Sequence, residues 1–520
     1  LSMHVHACLL ALHTGKPVKM MYNREESFFG HVHRHPATMR YEHGAHADGT
    51  LAYIRAEIYL DGGAYTSSTP AVVGNAGTMG IGPYVVPNVR VDTYGAYTNN
   101  PPCGAMRGFG SVQTAFAYEA QMDRLAAELG MNPIEFRCKN AMSMGSETPT
   151  GQVVDSPAPV AELLHRVRDM PLPEPLRPAA PGGRPDTRTL PGGVANTTHG
   201  EDVRRGVGYA VAYKNVGFSE GYDDYSTARV SLEVVAGEPL VSVHTAAAEV
   251  GQGLVTVEQQ ICRTELGIDH VVVYPKDTGV GSAGSTSASR QTYMTGGAVR
   301  AACEIVRQRL LALAAGQAGI RPADFALEGG DVVLTAAGTR TPVAKVLGTQ
   351  VLEETVQWRH RPTESLDPET GQGFAHVQYA FAAHRAVVDV DTELGLVRVV
   401  ALDCAQDVGK AINPAAVLGQ IQGGSAQGMG LAIMEEIQVA GGLIRNPSFT
   451  DYLIPTIADM PPMLIDVLEY PDPNAPYGVR GVGEAPTISS GPAVAAAIRA
   501  ATGLDLTRVP IRPEHITETW

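Results

Sequence analysis

Five short stretches set polar or charged residues between glycines: Met106-Arg107-Gly108-Phe109-Gly110, Glu249-Val250-Gly251-Gln252-Gly253, the serine-rich run Val280 to Thr292, Gly419-Gln420, and Gly481-Val482-Gly483-Glu484-Ala485-Pro486. Glycine permits positive φ and close backbone approach, which leaves N–H groups free to face an anion. The serine-rich run lies just before a helical stripe at Val299, so its N–H groups and hydroxyls could take a phosphate or pyrophosphate. Singly, each stretch reads as an ordinary tight turn. None has the G-x-G-x-x-G or G-x-x-x-x-G-K-[ST] spacing, which excludes the usual dinucleotide and P-loop readings.

Histidines gather early: His4, His6, His13, His31, His33, His35, His43 and His46 are half of the 16. If His31, His33 and His35 alternate along a strand they share one face, and either bind a metal or form a polar, solvated edge. No carboxylate completes a ligand set beside them. H-E-x-x-H and G-x-S-x-G are both absent, so the common hydrolase signatures fail. The six cysteines, Cys8, Cys103, Cys138, Cys262, Cys303 and Cys404, never reach a C-x-x-C spacing. They read as reduced thiols of a cytoplasmic protein, not as ligands of a zinc or iron–sulfur centre.

These residues need elements to hold them, and 520 residues allow two to four domains. Lys and Arg total 39 against 54 Asp and Glu, a net charge of −15, which argues against nucleic acid and anionic membranes as partners. No run approaches the 18 to 20 apolar residues of a membrane span. With only 18% charged residues, much of the surface is expected to be hidden in a core or against partner subunits. Residues 171–202, rich in Pro and Gly, read as an exposed linker between a first part at 1–170 and a second at 203–520.

Alternation around Asp48-Gly49 predicts a hairpin, and another flanks Glu393-Leu394-Gly395. Arg229–Val235 and Val241–Thr245 alternate as paired strands. Tyr118, Met122, Leu125 and Leu129 form a helix face stopped by Gly130, followed by a short helix after Asn132-Pro133. Val299, Cys303, Val306, Leu310 and Leu313 mark a second helix. Pro492 is read as the first turn of a final helix ending near Gly503. Strands and helices without a regular βαβ rhythm give an α+β class.

As an ordered set, HVHRHPA, TNNPPCGAMRGFG, EVGQG, SASRQT, DVGKAINPAAVLGQIQGG and GVGEAP resemble the molybdenum-binding subunit of the xanthine oxidase family. SFFGHVHRHPA and NNPPCGAMRGFG are most similar to the molybdenum subunits of bacterial multi-subunit xanthine dehydrogenases. The resemblance implies a two-part molybdopterin-binding domain whose molybdenum is held by the pterin dithiolene and not by side chains. It places Arg107 and Ala288 beside the molybdenum. Gly251, Gln252, Gly253, Ser289, Arg290, Gln291 and Gln420 fall on the pterin, which could be in its cytosine dinucleotide form. Glu484 becomes the catalytic base, which suits a carboxylate next to a metal-acidified hydroxyl.

The implied substrate is a small N-heterocycle. Phe109 matches one of two aromatics that sandwich a purine. Phe218 and Ser219 match the second aromatic and a neighbouring hydroxyl, though Phe218 is equally read as core. Asn75 stands where animal members carry a substrate-polarising arginine, and it can hydrogen-bond a purine oxygen but brings no charge. Hypoxanthine or xanthine oxidised to urate is the first expectation, and an aldehyde or nicotinate-like ring the alternative. A carbon monoxide dehydrogenase fits less well, because Arg107 is followed by Gly-Phe-Gly and not by a cysteine loop. The resemblance also implies a [2Fe–2S] subunit, an FAD subunit and a hetero-oligomer. A glycine loop and a second pocket glutamate are expected from an upstream polypeptide, because the chain reads as starting inside the domain. A rival of another class is a non-catalytic metal-binding module built on the early histidines.

Overall fold

The structure is a computed structural model that describes residues 2–174, 186–198 and 200–517. Helices α1 (Ser2–Thr14) and α2 (Arg24–Gly30) lead into the first part. A capping box starts α2, with Asn23 and Glu26 each accepting from the other's backbone N–H at 2.8 Å. Strands β1 (Ala37–Ala45) and β2 (Leu51–Gly63) form the hairpin expected around Asp48-Gly49. After α3 (Thr69–Thr78), β3 (Val89–Tyr97) pairs parallel to β2. Helix α4 (Ser111–Glu128) buries Tyr118 and Met122, and Asn132 caps α5 (Pro133–Lys139) through the Ile134 N–H at 2.9 Å. Helix α6 (Val160–Asp169) closes this part.

The second part runs through β4 (Val203–Val216), β5 (Tyr225–Val235), β6 (Glu238–Thr245), α7 (Leu254–Leu266), β7 (Val271–Val273) and α8 (Gln291–Ala318). A meander of β8 (Phe325–Glu328), β9 (Asp331–Leu334) and β10 (Thr339–Pro342) precedes α9 (Val343–Leu347) and β11 (Leu352–Arg359). Then come β12 (Gln378–Asp391), β13 (Leu396–Asp407), α10 (Pro414–Ile433), the two-residue strands β14 (Val439–Ala440) and β15 (Leu443–Ile444), β16 (Ile465–Leu468), α11 (Ala485–Thr502) and α12 (Pro513–Thr517).

Two four-stranded sheets organise this part, in the orders β11-β5-β6-β7 and β16-β13-β12-β4. Both are mixed, since β6–β7 and β13–β16 pair parallel and the other neighbours antiparallel. Helix α8 lays Val299, Cys303, Val306 and Leu310 on the first sheet. Helix α11 covers the second so closely that β4 needs glycine beneath it: a Cβ on Gly206 would lie 2.0 Å from the Ala497 carbonyl oxygen, and one on Gly208 2.2 Å from the Ala497 nitrogen. Helices packed on mixed sheets make this an α+β architecture. The two parts share one core, in which Tyr118, Met122 and Leu163 pack with Tyr213, Phe381 and Ile488.

Three local expectations differ. The final long helix starts at Ala485, not Pro492; Pro486 occupies its first turn, and Pro492 lies buried inside it. Pro492 has no N–H to give the Ile488 carbonyl, but burial on both sides holds the helix through that gap. His31, His33 and His35 do not form a strand. His31 ends α2, His33 makes an isolated bridge to Cys103 and donates from Nε2 to Phe28 O (2.7 Å), and buried His35 meets Thr69 Oγ1 at 2.9 Å. Within 171–202, residues 175–185 and His199 lie outside the described residues. The stretch 186–198 is anchored at two points, where Leu190 is buried and Asn196 Nδ2 donates to Asp391 Oδ2 at 2.8 Å, while Arg188, Val194 and Ala195 remain exposed.

Candidate active site

Glu484 stands at the N-terminus of α11 and is 8% exposed. Its Oε1 accepts from the Gly108 N–H and its Oε2 from Ser289 Oγ, each at 3.2 Å. The strap before it is pinned from several sides. Arg480 pairs with Asp407 at 3.0 Å and donates to the carbonyls of Tyr379 (2.7 Å) and Pro157 (2.8 Å). Gln378 Oε1 accepts from the Gly481 N–H at 3.2 Å, and Gln406 Nε2 donates to Val482 O at 3.0 Å. The carboxylate is therefore held on a rigid base.

Arg107 donates from Nε to Gly483 O and from one terminal nitrogen to Gln420 O at 2.9 Å, with Gln420 Oε1 at 3.4 Å. One guanidinium thus ties the loop after α3–β3, the first turns of α10 and the strap before α11. Burial lowers its pKa, while Glu484's charge works the other way. Phe109 follows in a left-handed conformation (φ 38°), and Gly110 packs so tightly on α3 that a Cβ would lie 2.5 Å from Val72 O.

Opposite, Ala288 and Ser289 both have φ 51°, a conformation that costs on the order of 1–3 kcal/mol per residue and collects at functional sites. The Gly217 N–H donates to Ala288 O at 3.0 Å. Arg290 does not face the site. It is fully buried, paired with Asp224 (Nε to Oδ1, 3.0 Å) and bound to Ser285 O at 3.1 Å, so it holds the serine loop in shape. Gln291 does likewise, donating to Ser285 O at 3.1 Å.

The Gly251-Gln252-Gly253 loop forms a cradle of N–H groups at the start of α7. In it Glu249 accepts from the N–H groups of Gly251 (2.7 Å), Gly253 (3.1 Å) and Val255 (3.2 Å). Burial raises the Glu249 pKa, but these donors outweigh it and bring it below the ordinary carboxylate value. Gln252 turns onto its own loop, accepting from Val250 N–H at 2.7 Å and donating to Ala248 O at 3.0 Å. Thr286 Oγ1 donates to the same carbonyl at 2.7 Å and so links the cradle to the serine loop. A carboxylate of the chain itself is seated on three N–H groups of this wall, and the Ser285 and Ser287 hydroxyls beside it are exposed. The residues present fit a phosphorylated pterin.

Phe218 belongs to no core cluster. Its ring lies under the Arg290 guanidinium at 4.8 Å and edge-on to Tyr222 at 5.2 Å. Ser219 Oγ meets Asn215 Nδ2 at 2.7 Å and His376 Nδ1 at 2.9 Å. Asn75, on α3, is buried with Oδ1 unpartnered. These contacts join into a ring: Glu484 to Gly108, the Phe109 turn to α3, α3 at Gly74 to Glu220 (3.2 Å from an ideal Cβ), Phe218 to Arg290, and Ser289 back to Glu484. A cavity of about 500 Å³ lies beside Gln152 and Phe374, and Gln152 Nε2 donates to His376 O at 2.6 Å.

Sequence reasoning missed Glu220, Lys214 and the Arg480–Asp407 pair. Lys214 is fully buried without a carboxylate partner among the described residues, and donates to Asn215 O at 3.1 Å. Burial lowers its pKa, and Glu484's charge is what opposes that. Its signal was a lone lysine, next to Asn215, at the end of an Ala-, Val- and Tyr-rich stretch of β4. Among the described residues, no group of three His, Cys, Asp or Glu is placed to hold a metal, and no helix is long and apolar enough to cross a membrane.

Known proteins share this architecture. The family described as molybdopterin cofactor-binding domain matches twice, over residues 1–141 and 186–461. The chain is 30% identical to a probable xanthine dehydrogenase subunit of Bacillus subtilis (strain 168), over 100% of this chain and 66% of that protein. It is 47% identical over 169 residues to the "Nicotinate dehydrogenase large molybdopterin subunit" of Eubacterium barkeri, which covers 32% of this chain and 40% of that one. Among solved structures, quinoline 2-oxidoreductase from Pseudomonas putida 86 superposes with a TM-score of 0.82 at 26% identity, over 98% of this chain and 65% of that chain. The chain thus spans about two thirds of the length of such relatives.

Proposed function

The chain belongs to the molybdopterin cofactor-binding domain family, of the xanthine oxidase type, and on that premise we propose that it is the bulk of a molybdenum hydroxylase subunit oxidising a purine, hypoxanthine or xanthine to urate. The observation that carries this reading is the Glu484 carboxylate, fixed between Gly108 N–H and Ser289 Oγ inside a closed ring of loops. When bound, the molybdenum–pterin group supplies a two-electron sink and acidifies the water whose oxygen enters the product. Glu484 takes the proton of that water at its carboxylate, and its two hydrogen bonds keep the accepting oxygen in place.

Arg107 and Ala288 border the metal side. Gly251, Gly253 and Ser289 offer N–H and hydroxyl donors to the pterin, while Gln252, Arg290, Gln291 and Gln420 shape the loops that carry them. Displacement of Glu249 from the cradle by a phosphate fits the same arrangement. Phe109 and Phe218 orient the ring, and Ser219 and Asn75 offer polar contacts. The six cysteines are free thiols far from cluster spacing, which supports [2Fe–2S] and FAD subunits as electron carriers, in a cytoplasmic hetero-oligomer. Exposed Leu9, Leu10 and Leu12 on α1 support a partner polypeptide packed there.

The relative named for nicotinate, together with the uncharged Asn75, keeps a nicotinate-like or aldehyde substrate as the second reading. The test is elemental analysis and pterin extraction on the intact complex, with the nucleotide form identified, followed by a purine, pyridine and aldehyde substrate panel. Molybdenum with turnover of oxo-purines supports the first reading. A pterin-free protein, or turnover of aldehydes alone, overturns it.

A further inference from the structure

One buried cation near the site has no counter-ion of its own. Lys214 lies close to the end of β4, 1% exposed, and no carboxylate among the described residues pairs with its Nζ. It donates only to the next residue, to Asn215 O at 3.1 Å and to Asn215 Oδ1. That fixes the Asn215 amide, whose Nδ2 donates to Ser219 Oγ at 2.7 Å, and Ser219 Oγ stands 2.9 Å from His376 Nδ1. Because Ser219 accepts from Asn215, the network assigns the serine proton to His376 Nδ1 and leaves the ring hydrogen on Nε2, buried and without a partner. His376 stays neutral there, since burial, with the Lys214 charge adding to it, lowers its pKa to about 3. The network thus carries one cation, and an unpaired buried cation is costly to keep.

Its place in the fold shows what faces it. Lys214 and Val216 share the face of β4 that Gly206 and Gly208 turn to α11. Val216 packs with Ala380, Ala382 and Ala485, and Ala380 is the cross-strand partner of Lys214. A Cβ on Gly481 would stand 2.6 Å from Val216. The strap and the first turn of α11 therefore close over the strand end that carries Lys214, and Glu484 joins the two. Burial lowers the Lys214 pKa, and the charge that opposes it is that of Glu484. Two other cations face Glu484. Arg107 is committed to Gly483 O and Gln420 O, and for Arg34, whose pKa burial lowers to about 10, Glu435 is the stronger opposing charge. We propose that Lys214 is a positioning residue for Glu484, its buried ammonium holding the carboxylate in the charged form that accepts a proton. Burial disfavours a charged carboxylate and a nearby cation favours it, while a base must be charged to act. This rests on the hydroxylase reading and deepens it.

The intact complex is compared as wild type, Lys214→Met, which keeps the side-chain length without the charge, and Lys214→Arg, which keeps the charge. Molybdenum content is measured first, and kcat/KM is then followed against pH with the purine, pyridine or aldehyde that turns over. Without the cation the carboxylate protonates more readily, and a protonated base is inactive, so the acid limb of Lys214→Met should move to higher pH. The expected shift is about one pH unit, about tenfold in kcat/KM below the limb, for two charges beyond salt-bridge reach in a partly screened site. Above the shifted limb the variant should approach wild type, which a merely structural loss would not do. Lys214→Arg should return the limb toward its wild-type position. Lys214→Gln, neutral but still able to donate to Asn215, serves if the methionine variant does not fold. Infrared difference spectra read the same protonation without turnover, the Glu484 carboxyl band being the one lost in Glu484→Gln. A limb and a band midpoint unmoved in the neutral variants, or displaced as far by Lys214→Arg as by Lys214→Met, overturn the proposal. A complex that turns over none of the panel counts against the hydroxylase reading, and the infrared midpoint still decides the role of Lys214.

Discussion

Ser289 Oγ reaches Glu484 Oε2 at 3.2 Å across 195 residues of sequence. The serine arrives there only because it and Ala288 both adopt left-handed backbone (φ 51°), held by the Gly217 N–H and by the buried Arg290–Asp224 pair behind them. Strain in one loop thus aims a donor at the carboxylate that the strap before α11 delivers. Arg107 joins the remaining side to that strap. The acid is preorganised by three separate segments, none adjacent in sequence.

Glu484→Gln tests what that preorganisation serves. The amide keeps the side-chain shape and can still accept from one neighbour, so fold and molybdenum content should stay at wild-type levels. Turnover should fall about 10²-fold or more, the usual effect of removing a general base. A variant that keeps its molybdenum and more than roughly a tenth of wild-type turnover overturns the assignment.

Asn75→Ala asks whether the unpartnered Oδ1 serves substrate or fold. A buried hydrogen bond to substrate is worth roughly 1–3 kcal/mol, about ten- to a hundredfold in kcat/KM. The loss on oxo-purines should therefore exceed the loss on small aldehydes by about tenfold. Equal losses on both classes would assign Asn75 to packing.

Gly208→Ala addresses the scaffold. Its Cβ would lie 2.2 Å from the Ala497 nitrogen and 2.4 Å from the Ala493 carbonyl oxygen, both backbone atoms that cannot rotate away. Helix α11 must lift off β4, and Glu484 sits at the end of that helix. Overpacking of this kind costs roughly 1–3 kcal/mol or more, so the urea midpoint and turnover should drop together. Unchanged stability would show that α11 is free to move.

Much of this was legible beforehand where the signal is local. The α4 and α8 faces and the two hairpins follow from apolar period and turn residues. The glycine motifs stood out by residue type, but singly each read as a turn, and Glu484 was singled out only through the resemblance of the ordered set. Pro492 misled because a proline rule for helix starts ignores burial, and only packing on two sides lets α11 continue through it. The alternating histidines misled because His33 pairs with a single residue, Cys103, where a strand needs a ladder. Glu249 filling the cradle, Arg480 with Asp407, and Glu220 against Gly74 left no trace in the sequence pattern. They depend on which loops meet, often hundreds of residues apart.

Acid should destabilise the fold through its buried histidines. His384 is fully buried between β12, α10 and α11, with Nε2 at 2.8 Å from Ser425 Oγ and Nδ1 at 2.8 Å from Ser489 Oγ. Ser425 gives its own proton to Ile421 O at 2.8 Å, so the network assigns Nε2–H as donor to Ser425 and leaves Nδ1 to accept from Ser489. A second ring proton would face the Ser489 hydroxyl proton in a fully buried site. Burial lowers the pKa to about 3, as it does for His376 and His43. In the unfolded chain these rings titrate near 6.5. Between pH 6.5 and about 3 the unfolded chain binds protons that the folded one refuses, so stability falls as pH falls, by about 1.4 kcal/mol per pH unit for each histidine. Above pH 6.5 their contribution is flat. His384→Gln should lower stability at neutral pH, because it cannot bridge both serines. It should also lose one histidine's share of the slope between pH 6.5 and 4.5, read from urea midpoints and m-values at each pH. A slope identical to wild type would mean that His384 takes up its proton in the folded state.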